Sequence, residues 1–381
     1  MPLTYAARNV LARKASTAVT TIAVAVAVLV FVVMAATAEG IGRVATSTGS
    51  PANLLVMSAG AASAEVSYLD RATLLRARDL PEVARGAQGE PLASAELISA
   101  QPIRLDNATS EGEARYVTLR GVTRSAFAVH DGLEITAGRY PESADEVLVG
   151  RLLARTLGGV GVGERVVIGA DSYEISGMLE AGGQIFDGEA WVDLDALQSR
   201  TGRRFVSVLV IRLAQTENGE ASASELEARR GLNVDARPEQ EYYRDIQRVS
   251  VPFVYLGNLI GLILGLGAAL AAMNTLYAAT SRRIRELATL RALGFGRAYV
   301  GGTVLLESVL VGALGGLLGG GLALAFDGFA LNLLGLSFEL SVRPDNLGRG
   351  IALALTIGTL GGLLPARAAL GLRIVAALRQ A

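Results

Sequence analysis

Residues Ser16–Ala38 read STAVTTIAVAVAVLVFVVMAATA, 23 consecutive positions without a charge. A helix crossing a bilayer needs roughly 20 mainly apolar residues, so this run is long enough to span one. A secretory signal is the rival reading. Arg8, Arg13 and Lys14 make a basic start, and Ala36-Thr37-Ala38 resembles a small-residue cleavage site. Signal h-regions run only about 7–15 residues, which favours an uncleaved helix over 16–38. Ahead of it, Leu3, Ala6, Ala7, Val10 and Leu11 fall at i, i+3, i+4, i+7 and i+8. That spacing predicts an amphipathic segment over 1–15 lying on the inner membrane surface.

Three further apolar runs follow. Pro252–Ala279 has 28 uncharged residues, Tyr299–Phe326 has 28 broken only by Glu307, and Gly350–Ala366 has 17 between Arg349 and Arg367. Arg349 can snorkel outward, letting the last helix begin near Asn346. The 381-residue chain is 51% hydrophobic and 19% charged, against about 25% charged in soluble domains. The reading is therefore an α-helical membrane protein with four transmembrane helices at 16–38, 251–279, 299–326 and 346–366. An α+β extracytoplasmic domain over 39–250 is inserted between helices 1 and 2. An inner connector over 280–298, an outer loop over 327–345 and a tail over 367–381 complete the chain.

Charge orients it. Residues 39–248 hold 22 arginines and 31 acids, a balance of −9, while the remainder holds 13 Lys+Arg and 5 acids, or +8. Arg8, Arg13 and Lys14, then Arg282, Arg283, Arg285, Arg291 and Arg297, then Arg367, Arg373 and Arg379 share one side, opposed there by Glu286 alone. By the positive-inside rule that side is the cytoplasm, and 40–250 face outward.

Several chemistries are excluded. There is no cysteine, hence no disulfide, zinc-thiolate or iron–sulfur site. Lys14 is the only lysine, so no GxxxxGK[ST] phosphate loop exists in this sequence. The acidic outer region would repel nucleic acid.

Within that region, strand-like runs occur at Asn53–Met57, Tyr116–Gly121, Val147–Val149, Arg165–Ile168, Tyr173–Ser176, Ala190–Val192 and Val206–Arg212. Helical patterns lie at Tyr68–Arg78, Gly150–Leu157, Leu194–Thr201 and Ala223–Arg230. Without regular βα alternation they suggest an α+β domain. Residues 239–250 read as a stalk helix running into the second span. Asp187, Glu189, Asp193 and Asp195 are expected as a solvated acidic face, with a calcium site the sharper alternative. His130 beside Asp131 lacks a nearby nucleophile and reads as a loop histidine. Trp191 reads as a core or edge-strand aromatic. No nucleophile–base constellation points to an enzyme.

In the membrane half, Gly257, Gly261 and Gly265 recur every four residues, as do Gly312, Gly316 and Gly320. Small-xxx-small spacing serves either packing within the chain or a dimer seam. Glu307 is the one ionisable side chain well inside a span, about 12 Å from its inner end at ~1.5 Å per residue. It reads as a structural polar contact or a functional group, with no second acid or histidine to support a proton relay. In the connector, Ile284, Leu287, Ala288 and Leu290 form an apolar side, and Gly294 sits at a C-cap position. Such a helix lies on anionic lipid or docks in a groove of a cytoplasmic partner.

Together these features resemble an ABC transporter permease of the MacB/FtsX type. Asn274–Gly296 is similar to the family's "NTM…ER.REIG.LRALG" signature at Arg283, Arg285, Glu286, Leu290, Arg291, Ala292, Leu293 and Gly294. Glu307 falls at the family's "LLE", ahead of a glycine-rich helix. The tail from Pro365-Ala366-Arg367 to Ala377-Leu378-Arg379 resembles "PARRAARLDPVEALR", departing at Ile374 and Ala376. Gly138-Arg139, Glu146–Gly150, Gly161-Val162-Gly163 and Gly177 resemble the family's periplasmic core domain.

The resemblance implies a multi-pass subunit of the inner or plasma membrane that binds no cofactor itself. A separate ABC ATPase would bind ATP and Mg and grip the Arg282–Leu293 coupling helix. A second permease chain, identical or related, would complete the complex, and a periplasmic adaptor is a further candidate partner. Movement of the outer domain through the stalk (mechanotransmission) would drive export or extraction of a substrate. A membrane-anchored sensor or regulator, whose outer domain binds a ligand or activates a periplasmic partner, is the alternative class. An outer-domain hydrolase is disfavoured for want of a nucleophile–base pair.

Overall fold

The structure is a computed structural model and describes residues 14–106, 115–214, 219–248, 251–282, 284–333 and 336–371. Residues 1–13 of the expected amphipathic segment, 372–381 of the expected tail and Arg283 lie outside the described residues, as do 249–250 of the expected stalk. The chain divides into two compact units: Met1–Glu39 with Val251–Gly328 and Leu340–Ala381, and Gly40–Ser250 with Phe329–Glu339.

The first unit holds the apolar helices. Helix α1 runs without a break over Lys14–Ser47, beyond the expected 16–38. Its residues up to Glu39 belong to this unit. Four stretches are long and apolar enough to cross a membrane: Thr17–Ser47, Val251–Thr275, Arg297–Leu324 and Pro344–Leu370. Glycine lets these helices approach. A Cβ at Gly315 would lie 2.6 Å from Val24 Cβ, and one at Gly319 would collide with the Ala25 carbonyl oxygen. At such sites backbone dispersion replaces side-chain packing, the means of association open to helices in lipid. Ser308 Oγ also donates to the Gly358 carbonyl at 2.5 Å, joining the third and fourth spans.

The second unit is α+β. Its strands, in chain order, are β1 Asn53–Ser58, β2 Ala93–Leu105, β3 Arg115–Val122, β4 Glu134–Gly138, β5 Glu146–Gly150, β6 Arg165–Ile168, β7 Asp171–Glu180, β8 Ala190–Asp193, β9 Val208–Arg212 and β10 Val234–Pro238. They lie in the order β10-β1-β9-β2-β3-β8-β5-β7-β4, with β6 pairing β2 and β7. Only β3/β8 and β5/β7 are parallel among these pairs. Helices α2 Arg71–Arg78, α3 Ala126–Val129, α4 Arg151–Thr156, α5 Leu194–Thr201, α6 Gly219–Ala228 and α7 Glu239–Gln247 connect or cover them.

The 13-residue β2 organises this unit. Its first part, Ala93–Glu96, pairs with β9, and its later part, Leu97–Ile103, pairs with β3. Each expected strand run has a strand counterpart in the structure, whereas β2, β4 and β10 lack a clean period-2 pattern. The connection between the third and fourth spans, expected as a plain loop, carries a hairpin, β11 Ala330–Leu333 with β12 Leu336–Glu339. That hairpin belongs to the α+β unit, where Ser337 packs against Gly188 and Arg155 pairs with Glu339.

Candidate functional site

Two constellations carry the chemistry of this chain, one in each unit. In the helical unit, α8 Val251–Arg282 is followed by α9 Ile284–Ala292 and α10 Arg297–Leu324, with α11 Pro344–Leu370 last. Helix α9 is anchored by one face. Leu287 and Ala288 are buried with Val300, Val304, Ala366 and Ala369, and Leu290 packs against the same cluster. The opposite face is exposed at Arg285, Glu286 and Thr289.

The helix then stops abruptly. Gly294 has φ +95°, its N–H donates to the Arg291 carbonyl, and the Phe295 N–H donates to the Leu290 carbonyl. Those two bonds form a Schellman closure, satisfying carbonyls that the helix end would otherwise leave open. The closure projects Leu293, 71% exposed, and Phe295, 42% exposed. An apolar tip is thereby held on a rigid base, with Arg297 opening α10 four residues on. Of the other connector residues, Arg291 is half-buried, while the side chains of Arg282 and Ile284 lie outside the described residues.

The glycines face this chain's own helices. Gly257 and Gly261 meet Met34 and Phe31 of α1, while Gly265 meets Ile357 of α11. Gly312 and Gly316 meet Ala354 of α11, and Gly320 meets Leu347. Glu307 is buried in α10.

In the α+β unit, a buried charge network links strands and loops far apart in sequence. Arg120 on β3 is bidentate to Glu189, at 2.6 and 2.7 Å, and reaches Glu96 on β2 at 2.6 Å. Glu96 accepts from Ser94 Oγ at 2.7 Å and lies 2.6 Å from His130 Nε2. The other imidazole nitrogen, Nδ1, lies 3.0 Å from Glu239 Oε1, an ion pair without aligned hydrogen-bond geometry. Glu239 Oε2 accepts from the Ser50 N–H at 2.9 Å and from Asn53 Nδ2 at 2.8 Å. Trp191 Nε1 donates to Glu189 at 2.9 Å. All five charged side chains are buried.

Buried charges persist only when paired and hydrogen-bonded. Burial works against the charge on His130, but Glu96 and Glu239 outweigh it and raise its pKa to about 10. Burial likewise opposes ionisation of Glu96, yet His130 and Arg120 bring it down to about 2. Glu96 and His130 are therefore both ionised at neutral pH, a cation held against its carboxylate partner. The network's ends matter: Asn53 lies just past α1, and Glu239 opens α7.

His130 stands in a loop, as expected, just past α3, and is buried there because two carboxylates from distant segments enclose it. One sequence expectation is corrected. Asp187 and Glu189, expected in solvent, are also buried. Asp187 accepts from the Ala181 and Gly183 N–H groups, at 2.7 and 2.6 Å, which fills its carboxylate without a metal. Of the rest, Asp193 caps α5 by accepting from Asp195 and Ala196 N–H, and Asp195 is exposed. Trp191 is fully buried in an aromatic cluster with Phe186 and Phe127, as a core aromatic should be.

Four apolar helices, with an α+β unit between the first and the later three, define a multi-pass membrane protein of the ABC permease class. Residues 17–229 match the MacB-like periplasmic core domain, and 258–374 match the FtsX-like permease C-terminal region. This chain belongs to the MacB/FtsX permease family. Two relatives are the macrolide export ATP-binding/permease protein MacB of Hyphomonas neptunium and MacB 2 of Aeromonas hydrophila. They are each 26% identical, over 74% and 76% of this chain respectively and 46% of each relative. The chain thus spans about half the length of the curated relatives it matches. The periplasmic region of MacB from Actinobacillus actinomycetemcomitans superposes with a TM-score of 0.39 at 10% identity, covering 53% of this chain and 94% of that one.

Proposed function

We propose that this permease couples ATP hydrolysis by an ABC ATPase, carried on a separate subunit, to movement of its outer α+β unit, serving export or extraction of a substrate. The observation that carries this reading is α9: a short helix seated by Leu287 and Ala288, with Leu293 and Phe295 exposed at a rigid turn. An anchored apolar tip on an arginine-rich connector fits a groove in a partner. The motor is drawn from the relatives' names, which join ATP-binding to permease. ATP and its Mg ion would be held by that partner.

The arginine distribution supports a cytoplasmic connector and cytoplasmic termini. Transmission outward is supported by the unbroken α1 and by the network joining Asn53, just past α1, to Glu239 at the start of α7. In this reading a two-state movement of the helices is passed outward along these chain connections. A second permease chain would complete the complex, and an outer adaptor is a further candidate subunit. Affinity purification from its own host in mild detergent tests the reading. The expected result is an ABC ATPase that co-purifies with the native chain and is lost from Arg285→Glu/Leu293→Asp. Retention of the ATPase by that variant, or its absence from both preparations, contradicts it.

A further inference from the structure

We propose that the cleft between α2 and α5 in the α+β unit binds an anionic amphiphile, a molecule with one acidic headgroup and an acyl-type tail. The cleft lies where β2 exchanges one partner strand for another, and it is a half-open hollow of about 1110 Å³. Ligand sites typically enclose about 300–1,000 Å³, so the space suits a ligand at the large end of that range.

Its floor is apolar. Leu74, Ala95 and Phe205 pack against the main core while remaining only partly buried. Ala93 and Ala95 on β2 put methyl groups where larger side chains would fill the hollow. Ala93–Glu96 already pair with β9, and the Ala93 carbonyl accepts from Ser125 Oγ. The floor therefore offers a smooth apolar face in place of a free strand edge, which suits a tail better than an extended peptide.

Its rim is cationic. Arg71 and Arg78 come from α2, and Arg203 and Arg204 follow α5, against the single acid Asp195. Gly202, at φ +67°, ends α5 in the left-handed conformation and brings both later arginines beside Phe205. Arg78 lies 3.4 Å from Asp79, and the Arg203 guanidinium sits 5.7 Å from the Phe205 ring. Among the described residues, Arg71, Arg203 and Arg204 make no ion pair. Four arginines around one hollow oppose the −9 balance of residues 39–248. A cleft lined by one sign of charge concentrates counter-ions, and guanidinium groups bind carboxylate or phosphate through paired N–H donors.

Binding here needs neither ATP nor a partner, so it goes beyond the permease reading and fails or survives separately. The test uses the full chain in nanodiscs of zwitterionic phospholipid, labelled with a diazirine-bearing palmitate and mapped by mass spectrometry. Label is expected on peptides covering 69–78 and 194–206, displaced by palmitate but not by neutral monopalmitoylglycerol. Arg71→Gln/Arg204→Gln should lower cleft labelling about tenfold, the equivalent of ~1.4 kcal/mol, with span labelling unchanged as a sign of intact folding. Ala95→Leu, which fills the floor without altering a charge, should give a similar loss. Label confined to the spans, equal displacement by the neutral monoglyceride, or undiminished cleft labelling in either variant overturns the proposal.

Discussion

His130 Nε2 lies 2.6 Å from Glu96 Oε1, both side chains are buried, and 34 sequence positions separate them. With Nδ1 3.0 Å from Glu239, the imidazolium sits between β2 and the start of α7. The α+β unit is thereby held by charge at the point where its chain returns toward the second span.

The pH dependence of stability follows from that pair. His130 holds its proton up to about 10 when folded and to about 6.5 when unfolded, so its stabilisation is complete below 6.5 and drains away between 6.5 and 10. Glu96 is lowered from 4.5 to about 2, so its stabilisation is complete above 4.5 and is lost as pH falls toward 2. Thermal unfolding of the full chain should therefore peak between about pH 4.5 and 6.5. His130→Gln should flatten the alkaline limb, and an unchanged alkaline slope in that variant would contradict the assignment.

Arg120→Met leaves Glu96 and Glu189 without their shared cation and should cost about 3–5 kcal/mol. Arg120→Lys should recover little, because an ammonium cannot reproduce the bidentate contact to Glu189 while also reaching Glu96. Denaturation midpoints of the two variants, compared with the native chain, decide this.

Much of this architecture was legible in the sequence, and the reasons differ by element. Uncharged runs announce spans because lipid tolerates few charges, and short apolar, β-branched runs mark β1 and β9. Strand β2 was hidden because the buried Glu96 and the exposed Pro102 interrupt its apolar pattern. The charge network was invisible for a different reason. Asn53 and Glu239 stand 186 positions apart, and only the folded sheet brings them together. Asp187 misled because its partners are backbone N–H groups, which leave no compositional trace. The connector was legible through Gly294 and the apolar side of α9, although the outward aim of Leu293 required the turn itself.

Close helix packing gives a further test. Gly319→Val should weaken the assembly of the helical unit, since its side chain would press on the Ala25 carbonyl and on Val28 of α1. Gly321→Val, where a Cβ meets nothing within 4 Å, should be tolerated. Yield and melting temperature in detergent should separate the two, with Gly319→Val lower by at least several degrees for a loss of about 1–3 kcal/mol.

Gly294→Ala forces a Cβ into φ +95° and should cost about 1–2 kcal/mol in the last turn of α9. Because Leu287 and Ala288 remain seated, the chain should stay folded while the tip loses its fixed direction. Proteolysis near 293–296 should quicken, and retention of an ATPase partner should fall.

The absence of cysteine permits a direct test of the connector, because Leu293→Cys places a single thiol in the whole chain. With a short thiol-to-amine crosslinker applied to native membranes, the account predicts a covalent adduct between residue 293 and an ABC ATPase. A Cys placed at the exposed Val66 in the α+β unit should give no such adduct. An ATPase-free pattern at residue 293, or the same adduct from position 66, would contradict a connector gripped by a nucleotide-driven motor.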